Sequence, residues 1–237
     1  MGGSPVSAKA SSVSKLEVEA LEARNLLSNA TFAVATGILN SPENFTNFIG
    51  NEYRHLLGRN PDSSGLNHFL SQLENGVNPE TVEAEIASST EFVLDHGNTA
   101  TGFVTGLYQD LLGRNPDQNG ENNWLNALAN GSTTFQVAAA FATSQEREVG
   151  LIRGDYQLLL GRNPRTDEVV SWLTQFQNGS NRAMVEAGII ASDEFFALAS
   201  KDPSTFIVHT YQDVFLRTPS QTEINFWLNV YNQNNTP

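Results

Sequence analysis

One arginine and one glutamate recur in every quarter of this chain in fixed company. Arg59, Arg114, Arg162 and Arg217 each stand six residues after a tyrosine, while Glu43, Glu91, Glu146 and Glu194 each close a phrase of Val, Ile (Phe141 in the third copy), Ser and Glu. A guanidinium can grip a carboxylate through two parallel hydrogen bonds and can also donate to the open carbonyls at a helix end. The chemistry this set implies is a structural clasp, one per unit: Glu43 with Arg59, Glu91 with Arg114, Glu146 with Arg162 and Glu194 with Arg217. Other reactive types offer less. Asp62 and Asp117, with Gly65 and Gly120 three residues on, could suggest a calcium loop, but an aspartate before a helix is favoured as a cap. His55, His68, His96 and His209 show no metal-ligand spacing, and the chain has neither a Gly-x-Ser-x-Gly elbow nor a glycine-rich phosphate loop. No catalytic residue, cofactor or metal site is expected.

The elements that hold these residues are helices in tandem. Tyr53, Tyr108, Tyr156 and Tyr211 open one phrase, which continues five residues on with Gly58, Gly113, Gly161 or Leu216 and eight on with Pro61, Pro116, Pro164 or Pro219. Sixteen residues after each tyrosine comes Phe69, Trp124, Trp172 or Trp227, within an apolar stripe at helical spacing that predicts a place in the core. Glycine is suited to a left-handed helix end, so the phrase reads as a corner between helices. The asparagine before each of the first three prolines is a candidate cap, with the proline in the first turn of the next helix.

Val34, Val82, Val137 and Val185 begin the second phrase, which precedes the first in every copy. The chain therefore reads as four units, about 31–78, 79–132, 133–180 and 181–237. Glutamate to tyrosine spans 10 residues in the first and third units and 17 in the second and fourth, a super-period of 103 residues. The predicted architecture is all-α: four helical repeat units in two similar tandem domains, 31–132 and 133–237, preceded by a segment 1–30 that is an export signal or a docking arm.

Composition restricts the partners. A net charge of −13 and only three lysines argue against a nucleic-acid backbone, the absence of cysteine excludes disulfides, and no apolar run is long enough to span a membrane.

With these residues in hand, the chain resembles the bacterial "domain of unknown function 4214" family. Its repeat runs Tyr-Arg-x-Leu-Leu-Gly-Arg-x-Pro-Asp-x-x-Gly-Leu, and Tyr53 to Leu66 follows it almost letter for letter. Arg165 and Glu168, and Leu216, Ser220 and Glu223, depart from it. The resemblance implies an all-helical fold similar to phycobilisome linker domains, a setting in large exported or surface proteins, and no established activity. The segment Leu16 to Ser28 is similar to the Leu-Glu-x-Arg-x-Leu-Leu export motif of planctomycete-type bacteria. The resulting expectation is a non-enzymatic extracellular or cell-surface protein acting through contacts with itself, as an oligomer or filament, or with another surface protein. A carbohydrate- or calcium-binding adhesion module and a hydrolase without a recognisable motif are the alternatives.

Overall fold

The computed structural model describes residues 29–235. The export-type segment at 16–28 lies outside them. Within the described residues the structure is all-α, and the serine of the second phrase explains where each unit turns. Ser41, Ser89, Ser144 and Ser192 each accept a backbone N–H three residues on, at 3.2 Å, and so cap the helix that carries the glutamate. The glutamate then lies in the first turn, where the helix dipole favours a negative charge.

The difference between 10 and 17 residues decides whether that helix is one piece or two. In the first unit α1 (residues 29–39) is followed by a single 16-residue α2 (Pro42–Leu57) and by α3 (Ser63–Glu74). The third unit repeats this plan with α8 (Thr134–Ala142), α9 (Gln145–Leu160) and α10 (Thr166–Gln177). In the second unit α4 (Pro79–Ala87) leads to a six-residue α5 (Thr90–Asp95), a turn at Gly97 and Asn98, and then α6 (Ala100–Leu112) and α7 (Gln118–Ala129). The fourth unit does likewise, with α11 (Arg182–Ile190), α12 (Asp193–Leu198), a turn at Ser200 and Lys201, α13 (Pro203–Phe215) and α14 (Gln221–Asn234).

The corner after the tyrosine helix differs from expectation in one respect. Asp62, Asp117, Arg165 and Ser220 are the cap residues of the aromatic helices, so each proline stands one residue before the cap and outside the helix. Asp62 and Asp117 accept the backbone N–H of Gly65 and Gly120 at 2.8 and 2.9 Å, which is the capping role. The helix before the corner ends in left-handed geometry in every copy, with φ of 63°, 68° and 64° at Gly58, Gly113 and Gly161. Leu216 is forced to φ 55° at the same place and is 86% exposed, so its side chain returns little for the strain. Leu216→Gly should therefore stabilise the protein by up to about 1 kcal/mol, read from the midpoint of chemical unfolding. A decrease would show that Leu216 packs better than its exposure suggests.

Two hydrophobic cores organise the helices, and their boundary departs from the division at 132/133. One core runs from Phe45 to Ala142 and so takes α8 from the third unit. The other gathers Ile152 to Tyr231 together with Ala30, Val34, Ala35, Ile38 and Leu39, all on α1. Each lobe thus contains the long unit, two helices from the unit before it and the first helix of the unit after it. For the second lobe, the unit after it is the one that opens the chain. The cause is the apolar edge of that first helix: Val34 and Ile38 are fully buried, and α1 has the place in its lobe that α8 has in the other.

Candidate functional site

The eight predicted clasp residues do meet, but in different pairs. Arg59 grips Glu91 with Nε–Oε1 and Nη2–Oε2 distances of 2.5 and 2.6 Å. Arg114 holds Glu146 at 2.6 and 2.8 Å, and Arg162 holds Glu194 at 2.6 and 2.5 Å. Each arginine reaches the glutamate 32 residues ahead, in the next unit. In the first and third units, pairing within the unit is ruled out by length. Glu43 and Arg59 lie at opposite ends of α2, which at 1.5 Å per residue separates them by about 24 Å. Arg217, in the last unit of the described residues, grips Glu43 of the first, at 2.7 and 2.7 Å across 174 residues. The four units therefore form a closed ring.

Every clasp is built on its tyrosine. The guanidinium lies over the ring of Tyr53, Tyr108, Tyr156 or Tyr211, 4.7 to 5.2 Å from the centroid, which fixes its plane and leaves its edge for the carboxylate. In the first two units the Gly of the Pro-Asp-x-x-Gly phrase makes room for this tyrosine, since a Cβ on Gly65 or Gly120 would stand 2.3 Å from its hydroxyl. In the other two, Glu168 and Glu223 replace that glycine and add a second carboxylate to Arg162, at 2.8 and 2.9 Å, and to Arg217, at 2.6 and 3.2 Å. These arginines hold both carboxyls down to about 2. The departures from the family phrase are thus a different solution to the same corner.

The predicted core aromatics divide. Phe69 is buried, whereas Trp124, Trp172 and Trp227 are half-buried at the edges of the cores. An indole has a polar edge to satisfy, and Trp172 and Trp227 donate Nε1–H to the hydroxyls of Tyr156 and Tyr211 at 3.0 and 2.8 Å. Trp172 packs over Gly188 of the next unit, and Trp227 over Gly37 of the first, where an added Cβ would come within 2.6 and 2.5 Å of the ring. The tryptophans thus follow the same cyclic order as the clasps.

The charged residues inside the ring are a second set, and the sequence reading missed them. Asn78 and Asn181, 103 residues apart, hydrogen-bond each other at 3.1 Å, which brings equivalent points of the two lobes face to face. Around this contact lie Glu52 and Glu83 of one lobe and their counterparts Asp155 and Glu186 of the other, the same 103 residues on. Glu83 is fully buried and ion-pairs with Arg147, which also donates to the carbonyl of Leu111 at 3.1 Å. Arg182 lies over the ring of Phe48 and comes within 3.4 Å of Glu52. Burial pushes the carboxyl of Glu52 upward, aided by the charge of Glu83; it pushes Asp155 well above the usual range and raises Glu186. The super-period was the signal that could have found this set, because acids at 52, 83, 155 and 186 obey it.

A cleft of about 360 Å³, lined by Asn44, Asp155, Arg182, Glu186, Asp213 and Val214 among others, opens beside these residues. A larger cleft of about 520 Å³ lies over Trp172 and Gly188 but is away from the inner acids. Among the described residues no group of three His, Asp or Glu side chains could hold a metal ion, and no helix is long and apolar enough to cross a membrane.

No curated protein and no solved structure matches the chain. The family model described as "Domain of unknown function (DUF4214)" matches residues 23–96, 83–149 and 152–199. Each matched segment contains both ends of one clasp, Arg59 to Glu91, Arg114 to Glu146 and Arg162 to Glu194. These segments take in most of the sequence, and the chain belongs to the DUF4214 family.

Proposed function

We propose that this is a non-enzymatic protein of the bacterial exterior that acts through protein contacts, and that its self-association uses the seam between the fourth and first units. The observation that carries this reading is the Arg217–Glu43 clasp, which repeats the geometry of the other three without a chain connection running directly between the units it joins. Three seams are crossed by the chain itself and cannot separate. The fourth can open, and α1 with Glu43 then offers a neighbouring copy the contacts it makes at home, at little cost in new interface. The setting outside the cell is supported by the export-type motif at 16–28 and by where the family's members occur.

Exchange at the seam can be read by charge reversal. Glu43→Arg and Arg217→Glu each place like charges across the seam of a single ring. Mixed together, a heterodimer that exchanges at this seam forms two complementary clasps, one of the parental kind and one between the two substituted positions with its charges inverted. Light scattering should show heterodimers in the mixture and not in either variant alone. If both variants stay monomeric after mixing, while the double variant in one chain regains the stability of the parent, the seam is purely internal and self-association through it is wrong.

A further inference from the structure

The two lobes place their basic side chains differently, and one of the differences lies at a cavity. In the first lobe the acids Glu83 and Asp110 each face a basic side chain: Arg147 pairs with Glu83, and His96 lies 3.2 Å from Asp110. The His55 ring adds a bond to the Asp110 carbonyl at 2.7 Å. Advancing by the super-period of 103 residues gives the second lobe's version. Glu83 becomes Glu186 and Asp110 becomes Asp213, so the acids are kept. The basic side chains are not. Around the ring, Arg147 corresponds to Asn44, His55 to Leu158 and His96 to Ala199.

The cavity of about 360 Å³ lies where the missing arginine would be, and its walls include Asn44, Asp155, Glu186, Asp213 and the chain at Val214. Asn44 does not reach into the acids as its counterpart does; its side chain amide donates to the carbonyl of Leu39 at 2.8 Å. Arg182, the one cation in these walls, hydrogen-bonds Glu52 of the first lobe and stacks on Phe48; its charge also acts on Asp155 and Glu186, but it makes no hydrogen bond to either. Asp155 and Glu186 form no hydrogen bond or ion pair with the described residues. The molecule thus holds one occupied and one unoccupied version of the same guanidinium seat.

From this we infer that the cavity receives the arginine side chain of another polypeptide, with Glu186 and the carbonyl of Val214 taking the parts that Glu83 and the carbonyl of Leu111 play for Arg147. Asp155 and Asp213 supply the rest of the negative field. A guanidinium suits the seat better than an ammonium, because the template in the first lobe uses two separate nitrogens, Nη1 to a carbonyl and Nη2 to a carboxylate. A bare metal ion does not suit it, since no three acidic or histidine side chains of the described residues converge for coordination. Burial raises the carboxyls of Asp155, Glu186 and Asp213, and for the first two it outweighs the opposing charge of Arg182. The inference rests on the reading that the protein works by protein contacts, and it names the chemistry of the partner.

The probe is arginine capped at both ends, Nα-acetyl-arginine amide, titrated calorimetrically into the whole protein. Its neutral isostere, Nα-acetyl-citrulline amide, is the control. Saturable binding of the arginine compound is expected, weaker by about tenfold for citrulline and by a similar factor in Glu186→Gln. Asn44→Arg installs the residue found in the first lobe; it should abolish binding and raise the thermal midpoint. The inference is overturned if the two compounds bind alike or not at all, or if Glu186→Gln binds as the parent does. Because this readout involves no second copy of the chain, it can succeed while the charge-reversal mixture fails, and the reverse.

Discussion

Val34→Asp is expected to unfold the lobe formed by residues 152–231 while residues 45–142 keep their protection, although the substitution lies near the start of the described chain. Val34 is fully buried on α1, in the core that contains Ile152, Ile189 and Phe206. A carboxyl placed there without a partner costs several kcal/mol, about half or more of what holds an ordinary domain together. Helices α2 to α8 share a different core, which they keep while losing the seam and the pairs that Glu146, Arg147 and Arg182 make with Arg114, Glu83 and Glu52. Hydrogen exchange resolved by peptide should show fast exchange across α9–α14 and slow exchange across α4, α6 and α8. If protection disappears first from 45–142, the assignment of α1 to the second lobe is wrong.

Glu83→Ala should be among the most damaging single changes inside the ring. The side chain of Glu83 has no exposed surface, and that of Arg147 retains 16%. Truncating the acid leaves the guanidinium enclosed, with only the Leu111 carbonyl as an acceptor. A loss of about 3–5 kcal/mol is expected from such an orphaned charge. Replacing both members, Glu83→Met with Arg147→Met, should recover most of it, because desolvating the pair offsets much of its attraction. Denaturant unfolding of Glu83→Met, Arg147→Met and the double variant provides the measurement. Strict additivity, with the double variant as unstable as the sum, would mean that the pair is not the reason the single change hurts.

Much of the fold could be read before the structure was known. The stripes around Phe69 and the three tryptophans, and the glycine corners, predicted the helices and their joints. The clasp pairing was legible too, had helix length been applied: a continuous 16-residue helix between Glu43 and Arg59 cannot bring its ends together. Two features were harder to reach. Ring closure depends on a contact spanning 174 residues, and no local pattern records whether the last corner meets the first glutamate or open solvent. The lobe boundary depends on which core the Val34 and Val137 helices enter, and an apolar edge looks the same whichever neighbour covers it. The inner acids follow the super-period, but each looks like any surface glutamate until its burial is known.

The ring has a consequence for how such a chain can be written. The aromatic helix of one unit is joined to the first helix of the next by a connection of four residues, 75–78, 130–133 or 178–181. A comparable bridge from α14 to α1 would let the chain be opened at any other seam and still meet the same partners. The fold therefore contains no privileged beginning: a circular permutant starting at α4, α8 or α11 reads out the same ring.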